Sequence, residues 1–416
     1  MLVAVAGGKL QGVEAAYLAR KAGWEVLLLD KDDGVPASGL CHRFLRIDIT
    51  QTGDPCRLLR GVDLILPALE NDAALAALKT WSEKSGIPMA FDSSAYAVSS
   101  SKLQSGQLFD ELHLLTPRPW PKCHFPVIIK PDRESGSHNV QILHTPGQLM
   151  TALQERKSRM VPIVQQYLSG PSYSIEVLGA PDTYHPLQVT ELHVDAFFDC
   201  KRVIAPSGLP ADMISDFKHM AVALAQKLHL RGIMDVEVIL HNEQLQLLEI
   251  DARLPSQTPT AVYWSTGMNM VALLGEMCTK GTLIAPVCPP QPNFSIYEHL
   301  RLTGNRLEVA GERIMSDVGP LHVQPHFFEA NEALTNFHQG RSDWVATLIW
   351  TGDTEKEVWE KRSNTLKNIC TYAGIQDVVD HAPQVTCFGS DARAWQPERG
   401  LTTEDSRHFP NSRQTM

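Results

Sequence analysis

The sequence predicts an α/β protein of more than one domain, and three observations carry that expectation. Short apolar runs alternate with helical stretches over about the first ninety residues. From about 161 to 251 the pattern changes to strands joined by turns. The 416 residues are 43% hydrophobic, ample for several cores. At about 100–200 residues per domain, two or three domains are expected.

Leu2–Ala6 is a short apolar run, Gly7-Gly8 a turn, and Leu10–Ala22 carries helical spacing closed by Gly23. Val26–Asp30 and Leu64–Pro67 read as the next strands. Asp72–Ser85 is amphipathic, with Leu75, Leu78 and Trp81 on one side, and Pro88–Phe91 reads as a further strand. Strand–helix–strand repetition of this kind means a parallel sheet covered on both faces. Ser99–Leu112 is expected as one helix and Thr116–Pro121 as a proline-punctuated connector, after which Pro126–Pro131 opens a new unit. Ile163–Leu168, Tyr173–Leu178, Ile233–Leu240 and Leu245–Asp251 are expected strands, with a helix over Asp212–Leu228. Trp344–Trp350 follows as a strand and Glu355–Tyr372 as a helix. Beyond about residue 383 the chain is polar and aperiodic, which predicts a disordered tail.

The bulk composition excludes several classes. A net charge of −10 offers nothing to a polyanion, so no nucleic-acid partner is expected. No apolar run approaches the ~20 residues that span a bilayer, and the first residues lack a signal peptide's charged and apolar regions. The eight cysteines are scattered without a CxxC pair, which argues against a zinc site or a disulfide framework. Reduced thiols in a cytoplasmic protein are the expectation.

The most chemical feature is acidic. Gly232–Leu240 alternates like a strand, and Leu245–Asp251 is a second one after His241-Asn242-Glu243-Gln244. Side chains two apart share a face, so Glu249 and Asp251 point the same way. Given an odd-numbered loop, Asp235 lies opposite one of them, about 5 Å away across the ladder. Three converging carboxylates need a cation, and oxygen-only ligands with phosphate oxygens suit Mg²⁺. A solvated acidic face on an amphipathic hairpin has the same spacing. Arg253, two residues beyond Asp251, continues the strand face and could meet a phosphoryl group that the metal also touches.

Basic and small residues lie upstream. Lys130 ends an apolar strand and precedes a loop containing Ser135, Gly136 and Ser137. A lysine there can neutralise phosphates that backbone N–H groups cradle, although this is not the Walker pattern, which the chain lacks. Lys102 precedes a helical stretch and could reach the same phosphates. Gln166-Tyr167-Leu168 end a strand whose backbone could read an adenine edge. Gly7-Gly8-Lys9-Leu10-Gln11-Gly12, with Asp30 ending the next strand, is only superficially a dinucleotide fingerprint, being GGxxxG rather than GxGxxG.

In order, these pieces resemble the ATP-grasp superfamily. The match sharpens at Gly7-Gly8-Lys9-Leu10-Gln11-Gly12-Val13-Glu14-Ala15-Ala16-Tyr17-Leu18, at Lys21-Ala22-Gly23 and at Gly232–Glu237. It continues through Glu249-Ile250-Asp251-Ala252-Arg253-Leu254-Pro255-Ser256-Gln257-Thr258-Pro259-Thr260 and Ile296–Leu300. These strings are similar to those of the PylC family, ligases of pyrrolysine biosynthesis, over residues 1 to about 375. The resemblance implies an ATP-grasp fold in three lobes. They are a Rossmann-like domain over 1–95, a small α+β subdomain with the phosphate loop over 96–170, and a C-terminal α+β lobe with the metal and substrate site over 171–382; the tail is 383–416.

It also implies an ATP- and Mg²⁺-dependent activation of 3-methyl-D-ornithine as an acyl phosphate, which the ε-amine of L-lysine then attacks. By resemblance, Lys9, Asp30, Lys102, Lys130, Ser135, Gly136, Ser137 and Gln166–Leu168 meet ATP. Leu10, Gln11, Glu70, Ser174, Glu176, Ser256 and Thr258 meet the substrates. Asp235, Glu249 and Asp251 hold the metal, and Arg253 and Lys130 are catalytic. His193, Asp195, Asp199 and Cys200 match the pattern without an assigned role. The chain departs from the wider superfamily at Pro171-Ser172, where a ribose-binding Glu is common, and at Asp251, where Asn is common.

Two alternatives stay open at this level. One is another ATP-grasp carboxylate–amine ligase acting on amino acids. The other is a nicotinamide-binding oxidoreductase, which the GGxxxG spacing and the lack of a catalytic His or Tyr constellation disfavour. A homodimer is the base-rate expectation for assembly.

Overall fold

Two N-terminal strands, Leu2–Ala6 and Leu64–Pro67, are apolar along their whole length because helices cover both faces of their sheet. In the computed structural model the described residues are 1–383 apart from Thr52, Glu134, Ser135, Ser137, His138, 157–161, Ile284, Val287, Cys288 and Asp377. The expected tail, and the phosphate-loop residues Ser135 and Ser137, lie outside the described residues.

The first sheet is built from β1 (Leu2–Ala6), α1 (Leu10–Lys21), β2 (Glu25–Asp30), β3 (Arg43–Arg46), α2 (Pro55–Leu58), β4 (Leu64–Pro67) and α3 (Asp72–Ser85). Its order is β3-β2-β1-β4, all parallel. Asn71 caps α3 by accepting from the Ala74 N–H at 2.9 Å, and Gly86 closes it at φ 72°, as asparagine and glycine do at the two ends of helices. The turn from β1 into α1 requires glycine: a Cβ on Gly7 would stand 2.4 Å from the Ala68 carbonyl oxygen, and Gly7 has φ +104°.

Two expectations need correction. Pro88–Phe91 is not a full strand; it forms a single parallel bridge, Ile65 to Met89. The chain turns there because Asp92 accepts from the Ser94 and Ala95 N–H groups and starts α4 (Ser93–Ser99). The stretch Ser99–Leu112 is not one helix, for α5 (Lys102–Glu111) begins afresh with Ser101 as its cap. Serine side chains compete for nearby backbone groups and so favour such starts.

A small antiparallel sheet follows, made of β5 (Val127–Pro131), β6 (Gln141–Leu143) and β7 (Pro162–Gln166) in the order β6-β5-β7, with α6 (Pro146–Glu155) packed on it. Val127 and Ile129 meet Leu149 and Ala152 in its core. The alternate residues Ile128 and Lys130 therefore face away from α6.

The third sheet collects the rest: β8 (Ser172–Ala180), β9 (Thr183–Pro186), β10 (Thr190–Val194), β11 (Cys200–Ala205), α7 (Ala211–Lys227), β12 (Gly232–His241), β13 (Gln244–Asp251), α8 (Thr258–Thr266), α9 (Met270–Lys280), β14 (Phe294–Thr303), β15 (Arg306–Val309), β16 (His322–Pro325), β17 (Glu332–Thr335), β18 (Trp344–Gly352), α10 (Glu355–Ala373) and β19 (Val378–Asp380). Its main path runs β13-β12-β8-β10-β11-β14-β18-β17-β16. Helix α7 buries Phe217, Ala221, Leu224 and Ala225, one helical stripe. These meet Tyr173, Ile175, Val177, Met234, Val236 and Val238. Strand alternation then sends Ser174, Glu176, Asp235 and Glu237 to the opposite face. Among the described residues, no helix is long and apolar enough to cross a membrane.

Candidate active site

Three adjacent strands write the site as a grid. Asp235 of β12 stands opposite Asp251 of β13 on one side and Glu176 of β8 on the other. One step along, Glu237 stands opposite Glu249 and Ser174. The loop between β12 and β13 is not odd-numbered as expected. It is the two-residue turn Asn242-Glu243, with φ of 50° and 60°, and His241 pairs with Gln244. A register shift beside Leu248 supplies the extra residue that brings Asp235 opposite Asp251.

This grid holds one acid that the sequence reading left unassigned. Glu237 is fixed on the carboxylate face by its i+2 relation to Asp235, and that spacing was the available signal. Burial pushes its pKa well up, and Glu249, Asp235 and Asp251 push the same way. Burial raises Asp251 to about 7 against the pull of Arg253, and Asp235 to about 6 against a hydrogen bond donated by the Ser174 hydroxyl. Glu249 behaves differently: enclosure raises it, but Lys102 and Lys130 together hold it below its usual value.

Both lysines arrive from the small lobe through one aspartate. The Asp132 carboxylate, just beyond β5, accepts from the Ser101 hydroxyl at 3.0 Å and from the Leu103 N–H at 2.9 Å. That joins the end of the Lys130 strand to the start of the Lys102 helix. Lys102 Nζ then lies 3.5 Å from Glu249 Oε2. Lys130 is 8% exposed; burial lowers its pKa, and Glu249 and Glu237 oppose that shift.

A second chain of contacts crosses to the N-terminal sheet. Gln11 donates to Glu70 at 2.9 Å. Arg253 Nη2 sits 2.7 Å from Glu70 and 2.8 Å from Asp251. Asp251 Oδ1 and Arg253 Nε remain buried without a hydrogen-bond partner. Tyr96 belongs here as well, since Glu70 and Asp251 reinforce the upward shift that burial gives its hydroxyl.

A third group gathers at the start of α8. Ser256 and the Gln257 amide both donate to Glu312 Oε2 at 2.7 Å. Gln257 has a left-handed φ of 79°, a conformation that persists in a non-glycine residue only when its surroundings over-determine it. Thr258 is 5% exposed, and its hydroxyl approaches Glu176, whose pKa it pulls down. Leu10 and Gln11 open α1 nearby in the fold, at the helix that packs on α8 and α9.

Other expected residues stand apart from this centre. Lys9 is exposed and pairs with Asp317 at 3.0 Å. Both Asp30 oxygens accept backbone N–H groups, from Gly8 at 2.7 Å and Asp32 at 3.0 Å, so this side chain holds the glycine turn. The Gln166 and Tyr167 amides bond the Arg118 and Pro126 carbonyls at 2.8 and 3.1 Å, and Leu168 is buried. The Gly136 carbonyl accepts from Arg313. Asp195 and Asp199, previously without a role, accept the Gly311 and Arg313 backbone N–H groups at 3.1 and 3.0 Å.

Among the described residues, no three His, Cys, Asp or Glu side chains stand close enough together to hold an ion by themselves. The donor set still fits Mg²⁺, which is bound through one or two carboxylates plus substrate phosphates. A buried Asp251 oxygen without a partner and a Glu237 pressed by three other acids are the groups that a cation would relieve.

The three sheets and the lysine–carboxylate centre define an ATP-grasp protein. Residues 99–257 match the model of the ATP-grasp domain. Solved structures agree at the level of fold. The biotin carboxylase domain of Hydrogenobacter thermophilus 2-oxoglutarate carboxylase matches with a TM-score of 0.67 at 13% identity, covering 88% of this chain and 89% of that one. An L-amino acid ligase from Bacillus licheniformis matches at 0.65 and 14%, covering 88% and 97%. Among curated relatives, the 3-methyl-D-ornithine–L-lysine ligase of Methanosarcina mazei is 36% identical, covering 87% of this chain and 93% of that protein. That of Methanosarcina acetivorans is 33% identical, covering 88% and 96%. The chain belongs to the 3-methyl-D-ornithine–L-lysine ligase family of ATP-grasp proteins.

Proposed function

We propose that the protein is an ATP- and Mg²⁺-dependent ligase that joins the carboxyl group of 3-methyl-D-ornithine to the ε-amine of L-lysine. The observation that carries this reading is the meeting of Lys102, Lys130 and Arg253 with the acids of β12 and β13, in a chain 36% identical to a ligase named for that reaction. An oxygen of the donor carboxylate attacks the γ-phosphorus of ATP, ADP leaves, and an acyl phosphate results. The lysine nitrogen, after losing a proton, attacks the acyl carbon; phosphate leaves and the amide forms. Charge builds on the transferring phosphoryl group, so positioned cations supply most of the catalysis.

Lys102 and Lys130 neutralise ATP phosphates, with Ser135, Gly136 and Ser137 in the phosphate loop. Gln166, Tyr167 and Leu168 line the adenine, and Lys9 and Asp30 border the nucleotide side of the first turn. Arg253 takes up charge on the phosphoryl oxygens and then on the acyl phosphate. Leu10, Gln11, Glu70, Ser174, Glu176, Ser256 and Thr258 contact the amino acids. Bound Mg²⁺ would screen the phosphate charge and orient the γ-phosphoryl group. Glu249 and Asp251 are its proposed ligands, and Glu237 joins them because it faces Glu249 beside Lys130. Asp235, which accepts from Ser174 through one oxygen, is kept as a proposed ligand beside them.

The three separate sheets support lobes at 1–95, 96–170 and 171–382. A homodimer is supported by the dimeric biotin carboxylase domain with the same fold. Isotope transfer tests the chemistry. With D-ornithine labelled by ¹⁸O in its carboxylate, one label must appear in the released phosphate. Unlabelled phosphate alongside amide product rules out the acyl-phosphate route.

A further inference from the structure

We propose that Glu14, together with Glu176, seats the distal ammonium group of the diamino acid that is activated. This rests on the ligase reading above and adds a specificity-determining residue to it. Glu14 lies one helical turn along from Leu10 and Gln11, on α1, and is 1% exposed. Its Oε1 accepts the Thr260 N–H of α8 at 2.6 Å, but its Oε2 is buried with no hydrogen-bond partner. Glu176 is fully buried, and neither of its carboxylate oxygens has a partner. The Thr258 and Thr260 hydroxyls come near enough to Glu176 and Glu14 to pull their pKa values down, but neither closes a hydrogen bond of good geometry, and Gln257 Oε1 is unsatisfied.

Buried polar atoms are nearly always well bonded, so two buried carboxylates met only by poorly aligned hydroxyls mark a ligand's place. The chemistry of the ligand follows from the groups that surround it. Burial raises Glu176, and Asp235 and Glu14 raise it further. Burial raises Glu14 to about 7, and Glu312 adds to the shift. The charges acting most strongly on both are acids, unlike Glu249 and Asp251, which have lysine or arginine beside them. An ammonium group brings one positive charge and three donors, and it needs acceptors.

Length selects the acyl donor over the acceptor. The lysine ε-amine must itself lie at the reacting carbon, whereas the donor places its carboxylate there and its distal amine elsewhere. Asp251, beside Arg253, and Glu176 lie on strands two apart in the sheet. That is about 10 Å between backbones, less at the side-chain tips, and an extended ornithine chain spans such a gap. Bonding of Glu14 to the start of α8 would also make it a structural cap, and the test must separate the two roles.

Binding of D-ornithine and of D-norvaline, which has the same chain without the distal amine, is measured by calorimetry with a non-hydrolysable ATP analogue and Mg²⁺. In Glu14→Gln, D-ornithine should weaken about 10-fold or more, the scale of a charged hydrogen bond, while D-norvaline changes much less. Equal weakening of both ligands, an unchanged D-ornithine constant, or a wild type that does not bind D-ornithine overturns the proposal. Should Glu14→Gln lack a cooperative thermal transition, Glu14→Asp is read by the same criteria. Because binding needs no turnover, a wild type that binds D-ornithine through Glu14 yet forms no amide sinks the ligase reading and leaves this site standing.

Discussion

At the scale of single residues, Arg253 does its work by being held. Burial works against its charge, but Asp251 and Glu70 more than compensate and raise its pKa. The guanidinium is therefore charged and oriented before any ligand arrives. Replacing it by glutamine should lower kcat/KM by about 10²–10³-fold, the usual loss when a preorganised charge-stabilising donor is removed. A coupled phosphate-release assay measures this, and a loss below tenfold would contradict the role. Glu14 gives a separate prediction about pH. Its usual value is 4.5 and its folded value about 7, so between these the folded state keeps a proton that the unfolded state has released. Its contribution to stability therefore falls as pH rises from about 4.5 to about 7. Thermal melts across that range should show Glu14→Gln gaining on the wild type until the curves level off; parallel curves would refute the assignment. Most of these side chains were legible singly, but their neighbours were not. The pairing of Glu237 with Glu249 depends on the register shift at Leu248, which has no signature in composition or spacing.

At the scale of elements, the hairpin and the helix starts decide the geometry. Asn242-Glu243 turns with both residues at positive φ, which suits the twist of a tight hairpin but costs a non-glycine residue about 1–2 kcal/mol. Glu243→Gly should raise the melting temperature, by up to about 1 kcal/mol in stability, and leave turnover unchanged; a lower melting temperature would show that the turn is not strained. Asp132 is the other hinge of the site, since it sets the Lys102 helix against the Lys130 strand. Asp132→Ala should raise KM for ATP several-fold and cost about 1 kcal/mol, as for a lost helix cap. Unchanged KM for ATP would separate the lysines from the nucleotide. Element positions were readable where periodicity was long, as in Asp72–Ser85, which forms as expected. They were misread where a side chain interrupts the backbone, at Ser101, or where capping cuts a strand short, at Asp92.

At the scale of the whole molecule, three sheets bring distant segments to one centre. α1, the end of β4 and the end of β13 are far apart in sequence, yet Gln11, Glu70 and Arg253 form one chain of contacts. The alternation of strand and helix was enough to predict the α/β N-terminal unit. The breadth of the third sheet was not, because short strands such as Thr183–Pro186 and Glu332–Thr335 carry too few residues to show a period. The resemblance in the Gly7–Leu18 and Glu249–Thr260 strings linked what spacing could not. One measurement bears most directly on the central claim. The purified chain is incubated with ATP, Mg²⁺, L-lysine and D-ornithine or its 3-methyl form, and amide, ADP and phosphate are counted. The expected result is an ornithyl-N6-lysine mass with one ADP and one phosphate for each amide. No amide from either diamino acid donor, or release of AMP in place of ADP, would contradict it.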